Sequence, residues 1–278
     1  MNEISHDSYL FEVNEFFRSA WIGHAPFLKF LIRELKPKSF VELGVHNGFS
    51  YFLACQAIVE CGLETKAFAI DHWQGDSQAG YFEDTVYEDV VRVNEKYSRF
   101  STLLKMRFQD AIASFGDKSI ELLHIDGFHS YESVKEDFES WLPKLSPNGI
   151  VLIHDIHVHR NNFGVYKFWD EVKNAYKTIE FVGSHGLGVV FLGRIPEGAM
   201  RQVFEICKKG KISAIQGTFG SISDDVLQNS QSFAVKIAVD ERDKALAERD
   251  KALAERDLIS NSTIWRFFAP YRRFKKLL

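Results

Sequence analysis

This sequence has few cysteines and few prolines, and it has no excess of cationic charge. Its 278 residues include 3 cysteines and 6 prolines, and 38 acidic side chains outnumber 34 basic ones, for a formal net charge of −4. General nucleic-acid binding is therefore not expected, because it depends on cations that neutralise phosphates. Cys55 and Cys61 point to different faces of one predicted helix, so we expect reduced thiols rather than a disulfide framework.

Long apolar runs are also missing. No stretch is long enough to span a bilayer, and the residues after Met1 lack the cationic and apolar regions of a secretion signal. From these absences we expect a cytoplasmic protein. With 45% hydrophobic residues, the chain can still bury one substantial core and carry an appendage.

From Ser39 onward, short apolar runs alternate with helical patterns, as in a parallel sheet with crossover helices. The predicted parallel strands are 40–44, 67–71, 104–108, 122–126 and 150–154. The predicted helices are 49–61, 83–97, 131–142 and 165–176. Two further strands, 178–182 and 187–192, form a predicted antiparallel hairpin. The predicted fold is α/β, a doubly wound and mostly parallel seven-stranded sheet with N-terminal helices and a C-terminal helical extension.

The chain divides into five predicted segments. They are N-terminal helices packing on the main domain (1–37), the main domain (38–194), a connecting region (195–238), a heptad-like helix (239–260) and a basic, aromatic tail (261–278). In the fourth segment, a seven-residue repeat from Glu241 places Leu246 and Leu253 on a thin apolar seam. That seam indicates either a coiled coil that joins copies of the chain or a solvated single helix.

The tail interleaves aromatic and cationic side chains. Residues 264–278 hold five Arg and Lys residues and no acid. This composition suits an anionic membrane interface or an acidic partner. Docking of the aromatic side chains onto the protein's own surface is the alternative.

The first predicted strand leads into a glycine turn. Gly44 and Gly48 would let the backbone approach a ligand closely. A nicotinamide-type fingerprint would need further glycines where His46 and Phe49 stand, so a pyrophosphate cradle is excluded. Asp71 ends the second strand, where an acid can accept hydrogen bonds from ribose hydroxyls. The predicted cofactor-binding residues are Glu42, Gly44, His46, Asn47, Gly48, Asp71, His72 and Asp110.

Two residues near these strand ends each have two possible roles. Asp110, after the third strand, can accept from an adenine amino group or can cap the helix that begins at Ala111. Trp73 can offer an apolar face to a ligand or can pack in the core.

Acids also end the fourth and fifth predicted strands. Asp126 and Asp155 therefore lie at the edge where open α/β sheets bind their ligands. His129 is a candidate general base, because an ordinary imidazole titrates near neutral pH. His157 and His159 are fallback bases on a stretch that, if extended, would face them the same way. His124, between apolar neighbours, is predicted to be a satisfied core histidine.

Residues 38–193 resemble the class I S-adenosylmethionine-dependent methyltransferases, in particular the macrocin-type sugar O-methyltransferases and the cephalosporin-hydroxylase-like proteins. The resemblance rests on Glu42-x-Gly44-x-x-x-Gly48, Asp126-Gly-x-His129-x-Tyr131, His154-Asp155, and Gly164-Val-x-x-Phe168-Trp169 ahead of Gly186-Leu-Gly188-Val. It implies S-adenosylmethionine as the cofactor and an O-methyltransferase acting on a saccharide or sugar nucleotide.

In metal-dependent relatives, acids after the fourth and fifth strands hold a divalent ion, which the resemblance transfers to Asp126 and Asp155. Relatives often have two adjacent acids after the fifth strand, whereas this chain has His154-Asp155. Oxygen ligands favour Mg²⁺, and an added imidazole would suit Mn²⁺ or Zn²⁺. A site in which Asp126 contacts only cofactor or substrate is the alternative. Because a sugar hydroxyl stays protonated at neutral pH, methyl transfer needs a base or a cation, so His129 and Asp126 are the predicted catalytic residues.

The C-terminal heptads and tail are similar to the ends of glycan-assembly glycosyltransferases. This similarity implies a role in bacterial surface polysaccharide biosynthesis, with contact to the inner face of the membrane or to a glycosyltransferase. Two other functions stay open. One is O-methylation of a small natural product, and the other is a non-catalytic methyltransferase-like scaffold that recruits glycosyltransferases.

We predict that the tail associates with anionic membranes or an acidic partner. The intact chain should float with anionic liposomes, whereas a chain that ends at Ala238 should not, because the cationic and aromatic side chains of residues 264–278 are gone. Flotation of both chains on a density gradient measures this difference. Equal flotation of the two would contradict the prediction.

Overall fold

The computed structural model of the protein describes residues 19–78, 80–82, 84–160 and 162–210, with Phe219, Arg249, 251–253 and Arg256. The chain divides into two units, 1–228 and 229–278. In the second unit, the described residues are helical. The predicted tail and the first 18 residues of the predicted N-terminal helical segment lie outside the described residues. The sheet and the helices that pack on it belong to the first unit.

Seven strands form one sheet, and β4 lies at its centre. The strands are β1 (Ser39–Leu43), β2 (Lys66–Asp71), β3 (Ser101–Lys105), β4 (Ile120–Ile125), β5 (Leu145–His154), β6 (Lys177–Phe181) and β7 (Leu187–Phe191). Their order is β3-β2-β1-β4-β5-β7-β6. Strands β1 to β5 run parallel, and β7 pairs antiparallel with both β5 and β6. The predicted fold class is confirmed.

Helices cover both faces of this sheet. They are α1 (Ala25–Leu35), α2 (Phe49–Glu60), α3 (Asp84–Asn94), α4 (Phe108–Ala111), α5 (Tyr131–Trp141), α6 (Val165–Ala175) and α7 (Ala199–Lys208). A small two-stranded hairpin, Gly75–Asp76 with Gly80–Tyr81, follows β2. Among the helices of the described residues, none has the length and apolar character needed to cross a membrane.

The strand pattern produces two hydrophobic cores. Successive strand residues point to opposite faces, so Phe40 and Leu152 join one cluster while their neighbours Val41 and Val151 join the other. Helices α1 and α2 pack into the first cluster, and α5 and α6 into the second. The sheet between the two cores is a fixed frame for the residues that follow its strands.

One predicted strand is displaced. Residues 104–108 were expected to form the third strand, but β3 is Ser101–Lys105 and Phe108 already begins α4. Pairing with β2 sets the position of β3, from Ala67 opposite Ser101 onward. The polar start is tolerated because the buried Ser101 hydroxyl lies 2.6 Å from the Tyr51 hydroxyl. A prediction based on apolar residues alone therefore missed the start of β3 at Ser101.

Candidate active site

A cleft of about 630 Å³ lies at the carboxyl ends of the five parallel strands. The chain leaves β1 toward β2 on one side and returns to β4 on the other, so the cleft sits where the strand order reverses. Open α/β sheets bind ligands at this point. Residues directly after the strands line the cleft: Gly44 to Asn47, Asp71, His72, Arg107 to Gln109, Asp126 to His129 and Asp155.

The glycine turn forms one wall. Gly44 and Gly48 have φ angles of +85° and +84°, which side-chain-bearing residues rarely adopt. A Cβ at Gly44 would overlap the backbone carbonyl oxygen of Asp126. Glycine is therefore required at position 44 because β1 and β4 end side by side there. This packing requirement is separate from any need to leave room for a ligand. Gly48 does not line the cleft, because it precedes α2 with the Phe52 ring against it.

Asp71 holds this turn in place. Its Oδ2 accepts hydrogen bonds from the backbone nitrogens of Val45 (2.8 Å) and His46 (3.0 Å), and its Oδ1 accepts from that of Trp73 (2.7 Å). A carboxylate oxygen can accept two such bonds, so Oδ1 retains capacity for a ligand hydroxyl. Asp71 lines the cleft, as do His46, Asn47 and His72.

Glu42 lies beneath the cleft and does not line it. The side chain is 0% exposed, and burial raises its pKa. Its Oε1 accepts from Ser50 Oγ at 2.8 Å, and its Oε2 lies 2.9 Å from His124 Nδ1. Trp21 Nε1, which can only donate, contacts His124 Nε2 at 3.1 Å, so the His124 proton is on Nδ1 and faces Glu42. His124 is thus the satisfied core histidine predicted, and Glu42 is its partner.

Asp110 and Trp73 also lie away from the cleft. Because α4 starts at Phe108 with Arg107 as its N-cap, Asp110 neither caps a helix nor faces the cleft, and pairs on the surface with Arg107 Nε at 3.0 Å. Both predicted roles of Asp110 are corrected by this geometry, and Gln109 lines the cleft instead. Trp73 packs in the core and donates to the His46 carbonyl oxygen at 3.0 Å.

Asp126, His129, His154 and Asp155 form an acid–histidine cluster in the cleft. His129 Nε2 lies 2.9 Å from Asp155 Oδ2 and 3.5 Å from Asp126 Oδ1. His154 Nδ1 lies 3.2 Å from Asp126 Oδ1, and its Nε2 donates to the Ser184 carbonyl oxygen at 3.0 Å. The structure therefore brings together the predicted catalytic and metal-binding residues and adds His154.

Neighbouring loops hold the cluster. Gln78 Oε1 accepts from the His129 backbone nitrogen at 2.9 Å and from His129 Nδ1 at 3.0 Å. His185 Nδ1 lies 2.9 Å from Asp155 Oδ1. Asp155 and His185 have φ angles of +61° and +68°, a strained conformation that the surrounding contacts must maintain. Sequence reasoning missed Gln78 and His185, since each lies on a turn and no spacing links either one to an acid.

Charge balance decides the protonation of this cluster. Burial disfavours the imidazolium of His129, but the hydrogen bonds to Asp126 and Asp155 outweigh it and raise its pKa from 6.5 to about 10. Burial also disfavours the imidazolium of His154, but the carboxylates of Asp126 and Asp155 outweigh burial and raise its pKa. Although burial favours the neutral acid, His154 and His129 hold the pKa of Asp126 well below its usual range. In this arrangement His129 is protonated at neutral pH. It therefore differs from the ordinary imidazole that was assumed when it was predicted to be a general base.

The cluster also has donors for a cation. One ligand atom each from Asp126, His154 and Asp155 lies within 4.8 Å of the others. When His154 is neutral, the proton that Nε2 donates to Ser184 leaves Nδ1 free to coordinate. Two carboxylates and an imidazole fit Mn²⁺ or Zn²⁺, and the carboxylates also suit Mg²⁺.

The two fallback histidines are not in the cleft. Residues 156–157 form a turn rather than the extended stretch assumed for them. His157 Nε2 pairs with Glu180 Oε1 at 2.7 Å, and His159 is exposed beside the Tyr166 ring. Neither can replace His129 as a base there.

The raised pKa of His129 predicts a pH-dependent stability without added metal. Folding raises this pKa above the ordinary 6.5, so the stabilisation is complete below pH 6.5 and is lost as the pH rises through about 10. The melting temperature should fall over that window, and less so in His129→Gln. Thermal unfolding in chelator at several pH values measures this. Identical pH profiles for the two proteins would contradict the assignment.

Residues 41–156 match the family model described as a methyltransferase domain. The uncharacterized protein y4gI of Sinorhizobium fredii is 46% identical over 181 residues, which are 65% of this chain. The matched segment spans 20% of the length of that relative.

A solved structure shares the fold. A candidate caffeoyl-CoA O-methyltransferase from Staphylococcus aureus superposes with a TM-score of 0.50 at 18% identity, covering 65% of this chain and 86% of that one. The O-methyltransferase TomG of Streptomyces achromogenes has a TM-score of 0.49 at 15% identity, covering 70% and 92%. Residues 41–156 thus match a methyltransferase domain, and the α/β fold predicted from the sequence is shared with a solved structure.

Proposed function

We propose that the chain is an S-adenosylmethionine-dependent O-methyltransferase that acts on a saccharide or sugar nucleotide in bacterial surface polysaccharide biosynthesis. One observation carries the proposal. The acid–histidine cluster opens into the same cleft as the glycine turn and Asp71. A cofactor held at the turn would thus meet an acceptor beside groups that can deprotonate or polarise it.

The cofactor half of the cleft is assigned from the hydrogen-bonding capacity that remains there. Asp71 Oδ1 can accept from a ribose hydroxyl while the carboxylate still holds the turn. Gly44 brings backbone close to the ligand without a side chain between them. His46, Asn47 and His72 complete this wall.

Methyl transfer needs an acceptor oxygen with alkoxide character. That oxygen forms a bond to the methyl carbon, the bond from carbon to sulfur breaks, and S-adenosylhomocysteine leaves while the hydroxyl proton passes to a base. A divalent cation held by Asp126, His154 and Asp155 would supply positive charge that polarises the hydroxyl. The charge of that cation would balance the carboxylates in place of the His129 imidazolium. A neutral His129 could then accept the proton at Nε2. Gln78 keeps that ring in position.

The acceptor class rests on the resemblance to macrocin-type sugar O-methyltransferases and on the polar lining that the acid–histidine cluster and His185 give to the other half of the cleft. The polysaccharide context, the coiled-coil pairing of chains and the glycosyltransferase or membrane contact rest on the heptads and tail. A small natural-product hydroxyl remains the rival acceptor.

Substitution and chelation test the catalytic assignment. Asp126→Asn and Asp155→Asn should reduce methyl transfer by orders of magnitude while S-adenosylhomocysteine still binds, because they remove charge from the cation site but not from the turn. His129→Ala should slow transfer about 10²–10⁴-fold. His159→Ala, exposed and outside the cleft, is the matched control.

The measurement is transfer of a labelled methyl group to a panel of sugar nucleotides, with chelator and then with Mg²⁺ or Mn²⁺ restored. Full activity in chelator would reject the cation. Full activity of His129→Ala would reject the base. Methylation of phenols with none of sugars would reject the acceptor class.

A further inference from the structure

The segment before α1, Ala20–His24, lies against the turn that joins β6 and β7. Gly23 donates from its backbone nitrogen to Ser184 Oγ at 3.1 Å, and His24 Nε2 lies 3.1 Å from the Ser184 carbonyl oxygen. A carbonyl oxygen can only accept, so His24 donates from Nε2. A Cβ at Gly23 would overlap Ser184 Oγ, which shows how closely the segment approaches the turn. The proposed reaction gives these contacts no role.

The Ser184 carbonyl oxygen is shared by two histidines. His154 Nε2 donates to it at 3.0 Å, and the centroids of the His24 and His154 rings lie 5.7 Å apart, edge to face. Two imidazole donors use both lone pairs of this oxygen. Burial, followed by the neighbouring His154, lowers the pKa of His24 to about 3, so His24 is neutral. It therefore adds no positive charge to the acid–histidine cluster, and what it contributes is position.

The turn between β6 and β7 needs support from outside. All four of its residues have positive φ angles, between +44° and +90°, and they are Gly183, Ser184, His185 and Gly186. Residues with a side chain persist in this conformation only where surrounding contacts hold them. The bonds from Gly23 and His24 to Ser184 are such contacts.

The segment before α1 is itself fixed in place. Trp21 is 1% exposed and donates from Nε1 to His124 Nε2 at 3.1 Å, which ties the segment to β4. Ser19 Oγ accepts from the Trp21 backbone nitrogen at 3.1 Å. Ser19 and Ala20 line the cleft. The segment thus borders the cleft at one end and holds the turn at the other.

We infer that His24 is a positioning residue for the cation site and acts through the Ser184 carbonyl oxygen. The inference rests on the proposed function for the presence of the cation. By holding that oxygen beside His154, His24 keeps a proton on His154 Nε2 and leaves Nδ1 directed at Asp126 and Asp155, at 3.2 and 3.4 Å. Groups that orient a metal-binding imidazole in this way strongly affect the affinity for the metal.

Binding of Mn²⁺ to the full chain, with S-adenosylhomocysteine present, tests the inference. His24→Leu removes the donor at similar volume and should weaken Mn²⁺ binding roughly tenfold to a hundredfold, as expected when a metal-binding histidine loses its support. His24→Gln keeps a side-chain donor and should restore most of that affinity. Ser184→Ala removes only the contact to Gly23 and should weaken binding by a smaller factor. Ile32→Val, a buried change within α1, controls for lost stability and should leave Mn²⁺ affinity unchanged.

Electron paramagnetic resonance measures free Mn²⁺, and calorimetry measures the affinity for S-adenosylhomocysteine. That second affinity should be equal in all these proteins, because its proposed site is at the glycine turn. Thermal unfolding confirms that each variant is folded. The inference fails if folded His24→Leu binds Mn²⁺ as tightly as the unaltered protein, or loses both affinities by the same factor. Should His24→Leu not fold, unchanged Mn²⁺ affinity in Ser184→Ala would overturn the inference instead.

The unaltered protein separates this inference from the proposed function. If it binds no S-adenosylhomocysteine, the proposed function is wrong. If it binds S-adenosylhomocysteine but no Mn²⁺, the cation and the positioning role of His24 are wrong while the cofactor assignment stands.

Discussion

Two carboxylates at adjacent strand ends are the constraint around which the cleft is arranged. Asp126 and Asp155 follow β4 and β5, and their ligand atoms lie within 4.8 Å of each other. At an effective dielectric constant of about 20, two like charges at such a distance repel by about 3 kcal/mol. Positive charge must therefore be supplied. His129 supplies it as imidazolium, the raised pKa of His154 favours the same form, and a bound cation would supply it in their place.

The surrounding loops serve that arrangement. The turn between β6 and β7 delivers the Ser184 carbonyl oxygen to His154 and the His185 ring to Asp155. The hairpin after β2 delivers Gln78 to His129. On the other side of the cleft, the Asp71 carboxylate ties the end of β2 to the turn after β1. The proposed cofactor and acceptor sites are thus built from the same set of strand ends.

Much of this could be predicted from the sequence because the relevant signals are local. Apolar runs ending in Gly44, Asp71 and Asp126 mark strands of one parallel sheet, and parallel strands end at a common edge. What could not be predicted depends on distant partners. Glu42 has the position of a cofactor residue but is satisfied in the core by His124. The start of β3 is polar and is fixed by pairing with β2, which moved Asp110 out of the cleft.

Crystals grown with S-adenosylhomocysteine and Mn²⁺ test the central claim most directly. Anomalous scattering locates the manganese without reference to any assumed mechanism. We expect one peak among Asp126, His154 and Asp155, with the homocysteine sulfur in the same cleft and the ribose on Asp71. A cofactor bound away from the glycine turn, or manganese bound away from the acid–histidine cluster, would contradict the shared site.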